Sequence, residues 1–119
     1  MTFRTRVNVA CPRRFTNIPS ERVWRQLLRA ADSVSNTLTD ADEAVSASGF
    51  VHKIKLTLQE TRESRTCLEK IRVAKLDRFE AIVSLEREAG ELCAIFATIA
   101  MQVPDRLDRG KQAHKPSKI

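Results

Sequence analysis

Two neighbouring helical segments within residues 25–68 constrain the fold of this chain most strongly, because their hydrophobic spacing is helical but many of their side chains are small. A short Ser/Gly break at residues 46–49 separates the two segments. Short or hydroxyl-bearing side chains such as Ser33, Thr57 and Thr61 stand where an ordinary core would carry leucine. We therefore expect two long helices that either approach each other closely or share a hydrogen-bonded layer.

Apolar residues recur at helical spacing in the rest of the chain as well, so four helices are predicted. A proline in a helix interior costs about 3 kcal/mol or more, so Pro12 should kink the first helix or end it near Ala10. Pro104 is expected to end the fourth helix, and residues 105–119 are expected to form a basic, disordered tail. The predicted helices cover residues of about 3–16, 21–45, 48–74 and 78–103.

The composition favours an all-α protein of one domain. The 119 residues are 42% hydrophobic and can bury a core without disulfides or a metal. Three glycines, five phenylalanines and no tyrosine are too few for a sandwich or barrel. Cys11, Cys67 and Cys93 lie far apart and fit free thiols in a reducing cytoplasm. No membrane-length apolar run is recognisable, and we predict a cytoplasmic, up-down four-helix bundle over residues 1–104.

The net charge of +6 is concentrated at the two ends of the chain. Residues 1–19 carry +4, residues 104–119 carry +3, and the body between them carries −1. Basic ends attract phosphate groups, although solvated termini are the alternative interpretation and the balanced body suits a protein contact. The candidate nucleic-acid contacts are Arg4, Arg6, Arg13, Arg14, Arg106, Arg109, Lys111 and Lys115.

Glu60 and Glu63 lie three residues apart and therefore share a helix face. Two carboxylates there are candidates for acid–base catalysis or metal binding. Di-iron bundles, however, use Glu-x-x-His, and neither His52 nor His114 follows a glutamate at that spacing. We predict instead that Glu60 or Glu63 pairs with Arg29 or Lys53, with Arg29 partly buried. The predicted polar network consists of Arg29, Lys53, Glu60 and Glu63.

Sequence motifs for catalysis are missing from the chain. It carries no Gly-rich phosphate loop, no recognisable Ser/His/Asp set and no zinc spacing. We therefore predict a non-catalytic protein that needs no cofactor and no metal.

From Arg25 to Leu68, and again from Leu85, the chain resembles without gaps the four-helix-bundle family first met as proteins encoded in intervening sequences of 23S rRNA genes. In the second helix the resembling positions are Gln26, Leu27, Leu28, Arg29, Ser33, Val34, Thr37, Asp40 and Ser46. In the third helix they are Gly49, Phe50, Lys53, Glu60, Thr61, Glu63, Cys67 and Leu68. In the fourth helix they are Glu88, Ala89, Gly90, Glu91 and Leu92.

This resemblance implies a homo-oligomer, since members of that family form closed rings, typically of five subunits. The family is also similar to the accessory protein of diversity-generating retroelements, a ring that partners a reverse transcriptase and RNA. The resemblance thus implies a non-catalytic oligomeric adaptor that binds RNA or DNA, or a nucleic-acid enzyme. The alternative is a purely structural protein-interaction module. Trp24, Phe50 and Phe79 near helix starts also favour an oligomer, because a small bundle covers them with difficulty.

Overall fold

The computed structural model describes residues 1–15, 17–74 and 79–114, and the side chains of these residues as far as Gln102. The helices in order are α1 (Phe3–Ala10), α2 (Ile18–Asp42), α3 (Ala47–Val73) and α4 (Phe79–His114). The prediction of an all-α four-helix bundle with a short first helix is confirmed.

Helix α1 ends at Ala10, where the sequence placed one of its two possible ends. The Thr2 side chain caps its start by accepting a hydrogen bond from the Thr5 amide at 3.1 Å. At the other end the Cys11 amide still donates to the Val7 carbonyl at 3.1 Å. Pro12 follows and has no amide hydrogen to donate. The longer span of 3–16 is therefore wrong.

Helix α2 begins earlier and ends earlier than predicted. The Asn17 side chain is the N-cap and accepts a hydrogen bond from the Ser20 amide at 2.8 Å. Pro19 lies in the first turn, where a missing amide hydrogen costs nothing. The predicted start at residue 21 and end at residue 45 are therefore corrected to Ile18 and Asp42.

Helix α3 starts at Ala47, directly after its N-cap Ser46 in the predicted Ser/Gly break. The Ser46 hydroxyl accepts a hydrogen bond from the Gly49 amide at 3.0 Å. A Cβ atom at Gly49 would lie 2.9 Å from this hydroxyl oxygen, so a glycine gives the cap the room it needs.

Helix α4 continues past Pro104 to His114. The prediction that Pro104 ends the helix, with a disordered tail directly after it, is therefore wrong for residues 105–114. A proline removes one hydrogen bond and adds a clash, but these local costs do not forbid a helix that 25 preceding residues have already propagated. Residues 115–119 lie outside the described part of the chain.

Helix α3 lies at the centre of the packing and contacts both α2 and α4. In the described part of the chain, α2 and α4 nowhere approach within 8 Å between Cα atoms, and α1 packs between them. Helix α1 has eight residues and spans about 12 Å, whereas the 25 residues of α2 span about 38 Å. Helix α1 therefore covers only about a third of the groove between α2 and α4.

The small polar residues of α2 and α3 allow the two helices to approach closely and also join them by a hydrogen bond, the two alternatives that the sequence left open. Thr57, Thr61 and Ser64 are fully buried, so the helices around them pack closely. The Thr57 and Thr37 hydroxyl oxygens lie 2.8 Å apart and link α3 to α2. The Thr61 hydroxyl donates to the Thr57 carbonyl at 2.7 Å, which satisfies it within its own helix.

Candidate functional site: an open groove between α2 and α4

Helix α1 occupies the part of the groove nearest the start of α2. Phe3, Val7 and Ala10 lie on its inner face and are buried. Their spacing of three or four residues is that of an amphipathic helix. The opposite side of α1 is exposed, and Val9 there is 66% exposed. The first helix is therefore a short amphipathic helix docked by one apolar face.

Two arginines of α1 extend to opposite rims of the groove. Arg4 lies 3.7 Å from Asp32 of α2. Arg6 forms an ion pair with Glu88 of α4 and also donates to the Ser84 hydroxyl at 2.8 Å. Because each arginine contacts a carboxylate on a different helix, the groove holds α1 through apolar contacts below and ion pairs on both sides.

Beyond the start of α1 the groove is open. Two cavities of about 260 and 360 Å³ follow each other along it. Leu38 borders both cavities and remains 41% exposed. We call this region the open groove. Its apolar lining consists of Ala31, Val34, Leu38, Ala41, Phe50, Ile54, Leu92, Phe96 and Ile99.

The far end of the open groove is acidic. Asp40 and Asp42 lie in the last turn of α2, Glu43 follows as the C-cap, and this turn holds no basic residue. A helix C-terminus is the negative end of the helix dipole, so carboxylates are unfavourable there. Asp40 has Lys53 at 3.5 Å. Asp42, which lines the second cavity, and Glu43 form no ion pair with any other described residue.

The predicted polar network is present in part. A guanidinium nitrogen of Arg29 donates to a Glu63 carboxylate oxygen at 2.5 Å, and the other terminal nitrogen lies 3.7 Å from Glu60. Lys53 is not part of this network, because it faces Asp40. Lys53 lies seven residues before Glu60, so two helical turns separate them along α3.

The Arg29 ion pairs lie at the surface. The Arg29 side chain is 54% exposed, which contradicts the expectation that it is partly buried. A buried pair would cost about 3–5 kcal/mol to break, whereas exposed pairs contribute about 0–1 kcal/mol. Arg29→Met should therefore lower the free energy of unfolding by about 1 kcal/mol or less, as measured by urea denaturation. A loss above about 3 kcal/mol would contradict a surface pair.

The surroundings of Glu60 disfavour the charged form of its carboxyl group. Burial, and then the charge of Glu63, raise the pKa of the Glu60 carboxyl above its ordinary value, and Arg29 opposes them only in part. The Oε1 atom of Glu60 is buried and has no hydrogen-bond partner in the described part of the chain.

This raised pKa makes the stability depend on pH. A carboxyl with a higher pKa when folded contributes most below its unfolded pKa of about 4.3, and the contribution is lost as the pH rises through the folded value. Glu60→Gln cannot ionise, so the variant should gain stability relative to the wild type between about pH 4 and pH 7. Urea denaturation at both pH values measures this. Glu69→Gln, on an exposed part of α3, is the control. If the difference in unfolding free energy between Glu60→Gln and the wild type is the same at pH 4 and pH 7, the raised pKa of the Glu60 carboxyl is contradicted.

The candidate nucleic-acid contacts fall into three groups. Arg4 and Arg6 are engaged in the ion pairs of α1, so they are not free basic contacts. Arg13 and Arg14 are exposed and form no ion pair with another described residue. The remaining candidates are Arg106, Arg109 and Lys111, which lie on the last part of α4 with side chains outside the described part, and Lys115, which lies outside it entirely.

Cys67, Cys93 and His52 have the surroundings of structural or solvated groups. Cys67 and Cys93 are buried, and burial raises the pKa of both thiols. A raised thiol pKa leaves less of the reactive thiolate at neutral pH. His52 is exposed. Among the described residues, no group of three or more His, Cys, Asp or Glu side chains is placed to hold a metal ion.

Sequence reasoning missed the open groove. Its signal was the difference between an eight-residue helix that Pro12 ends and partners of 25 and 36 residues, which are about three and four and a half times as long. The regular alternation of Phe3 and Val7 with Arg4 and Arg6 also indicated an amphipathic helix with basic flanks. Which carboxylates meet those arginines depends on contacts distant in sequence, which one chain does not reveal.

Comparisons of the chain with protein-family profiles, with curated proteins and with solved structures find no match. Within the described part of the chain, none of the helices has both the length and the apolar content required to cross a bilayer.

Proposed function

We propose that this protein is a non-catalytic interaction module that binds a helix of another protein in the open groove. The observation that carries this proposal is that α1 covers only about a third of the groove between α2 and α4. Beyond the start of α1, the open groove is lined by apolar side chains and leaves Leu38 41% exposed between two cavities.

An amphipathic helix laid into an apolar groove is a recurrent mode of protein recognition. In a four-helix bundle the four helices pack around one shared core. Phe96 and Ala41 line the base of the groove beyond α1. In the described part of the chain, no helix lies over them there. A helix from another molecule would complete the bundle there. Cys67 and Cys93 are buried free thiols, which fits our further proposal of a reducing, cytoplasmic location.

Photo-crosslinking tests this function. Benzoylphenylalanine is introduced at Leu38 and, as the control, at Val9, which is 66% exposed on the outer face of α1. We expect a discrete crosslinked product from position 38 and none of the same size from position 9 in the cells that make the protein. A product of about twice the 13.5 kDa chain mass would identify a second copy as the occupant. The absence of any product specific to position 38 would contradict the proposal.

The oligomer expected from the resemblance is a separate proposal. Trp24 is fully buried and therefore offers no subunit contact. Val73 and Phe79, which are 67% and 58% exposed, support a contact at the end of the bundle opposite the open groove. A closed ring of five copies would need two different patches on each subunit. Light scattering at micromolar concentration should give a multiple of 13.5 kDa, and a mass near 13.5 kDa would contradict an oligomer.

Nucleic-acid binding is the second candidate function, and the exposure of Arg13 and Arg14 favours it. By the resemblance, the partner would be RNA or DNA, or a reverse-transcriptase-like enzyme. Each phosphate neutralised should add roughly 0.7–0.9 to the slope of log affinity against log salt. Replacing Arg13 and Arg14 by Gln should flatten that slope, whereas Arg25→Gln, which removes an arginine paired with Glu21 at 2.9 Å, should not.

Weak binding that tolerates many sequences is expected, because no element that reads base edges is recognisable. No retention of RNA or DNA at about 50 mM salt, where electrostatic binding is favoured, would leave the protein-interaction module as the function. The basic positions on the end of α4 are best tested by substitution, because α4 continues to His114 and a truncation would shorten it.

A further inference from the structure

We infer that the open groove takes a basic amphipathic helix of two to three turns from a partner protein, with cationic side chains that contact Asp42 and Glu43. This inference rests on the proposed function and names the chemistry of the partner. It is carried by three observations: the way α1 docks, the length of the open groove, and the charge at its far end.

Helix α1 shows which chemistry this groove accepts. Its inner face places Phe3 and Val7 between α2 and α4. Arg4 contacts a carboxylate of α2 and Arg6 contacts a carboxylate of α4. The groove thus already binds one basic amphipathic helix through an apolar floor and acidic rims. A second helix that follows α1 along the same groove would meet the same kind of floor.

The open groove has room for a short helix only. Along α2 it extends from Val34 to Asp42, nine residues, or about 12 Å. Along α4 it extends from Leu92 to Ile99, eight residues, or about 10 Å. These lengths match two to three turns of helix. The apolar anchors of the occupant would contact Leu38 and the residues beside it.

The charge at the far end favours a cationic partner. Asp42 and Glu43 lie at the negative end of the α2 dipole and form no ion pair with a described residue. A lysine or arginine placed there would relieve the repulsion between these carboxylates and the helix end. Asp42 also lines the second cavity, so the cation would sit beside the apolar floor. An acidic occupant would be repelled.

Two fluorescent model peptides test the inference by anisotropy. Each is a ten-residue helix with leucines on one face, flanked by arginines in one peptide and by glutamates in the other. We expect the arginine peptide to bind the full chain at least tenfold more tightly than the glutamate peptide. Rising salt should reduce this difference, because exposed charges are screened.

Variants of the protein locate the site. Leu38→Asp should weaken the binding of the arginine peptide at least tenfold, because it places a charge in the apolar lining of the groove. The double variant Asp42→Asn, Glu43→Gln should weaken it about threefold to tenfold, as expected for two exposed ion pairs. Val9→Asp changes a residue that is 66% exposed on the outer face of α1, away from the open groove, and should have no effect. Circular dichroism checks that each variant is folded.

Each outcome decides the inference. Equal binding of the two peptides would overturn the inference that Asp42 and Glu43 favour a cationic partner. A Leu38→Asp variant that still binds fully while the double variant does not would show surface attraction without a groove. If neither peptide binds, the inference is wrong, and crosslinking from position 38 separately decides whether the groove binds a different protein. The inference and the proposed function therefore fail through different results.

Discussion

Trp24→Ala should lower the free energy of unfolding by about 3–5 kcal/mol, which is the usual loss for a buried tryptophan cut to alanine. Trp24 is fully buried in the cluster that joins α2 to α1, with Val7, Leu27 and Ile71 among its members. Removing the indole leaves a cavity at the place where α1 docks. Urea denaturation followed by circular dichroism measures the loss, and it should also loosen α1.

Trp24→Phe is the matched control for this cavity. The indole Nε1 atom is buried and has no hydrogen-bond partner in the described part of the chain, so a phenyl ring gives up packing volume but no hydrogen bond. The loss for phenylalanine should therefore be less than half of the loss for alanine. If Trp24→Ala cost below about 1 kcal/mol, as surface substitutions do, the buried position of Trp24 would be wrong.

Thr61→Leu should lower the free energy of unfolding by about 1–3 kcal/mol or more through overpacking. Thr61 is fully buried on α3, and its hydroxyl already donates to the Thr57 carbonyl at 2.7 Å. A leucine at this position adds volume where the central helix packs between its neighbours, so α2 or α4 must move outward. Thermal and urea denaturation both report the change.

Thr61→Val separates overpacking from the loss of the hydroxyl. Valine has nearly the shape of threonine, and the Thr57 carbonyl keeps its position in the α3 hydrogen-bond ladder. This variant should cost about 1 kcal/mol or less. A leucine variant as stable as the valine variant would show that the layer at Thr61 is loosely packed, against the close approach that its burial indicates.

Local features of the sequence predicted much of the fold. The small residues around Thr57 and Thr61 predicted close packing of two long helices, because volume sets how near helices can approach. Pro12 predicted that α1 kinks or ends near Ala10, and the helix does end there, because a missing amide hydrogen acts on the same turn. The prediction that Pro104 ends α4 was wrong, since the cost of one proline is smaller than the cooperative stability of a long helix.

The site depends on contacts that spacing does not encode. Arg6 carries the same charge in any environment, but Glu88 lies 82 residues away in sequence and cancels it only in the folded chain. Lys53 likewise faces Asp40 on α2 instead of the glutamates of its own helix. The basic start of the chain thus serves partly to dock α1. The open groove follows from the short length of α1 beside α2 and α4, and hydrophobic spacing along one helix does not report how much of a neighbouring groove that helix covers.

The most direct test of the open groove as a binding surface is an NMR titration of the isotopically labelled full chain with the arginine peptide. Amide shift changes should concentrate at Leu38, Thr39 and Ile99, with α1 (Phe3–Ala10) retaining its own shifts. That result would place a helix beyond α1 in the groove. Changes confined to the opposite end near Val73, changes showing that α1 is displaced, or no changes at all would contradict it.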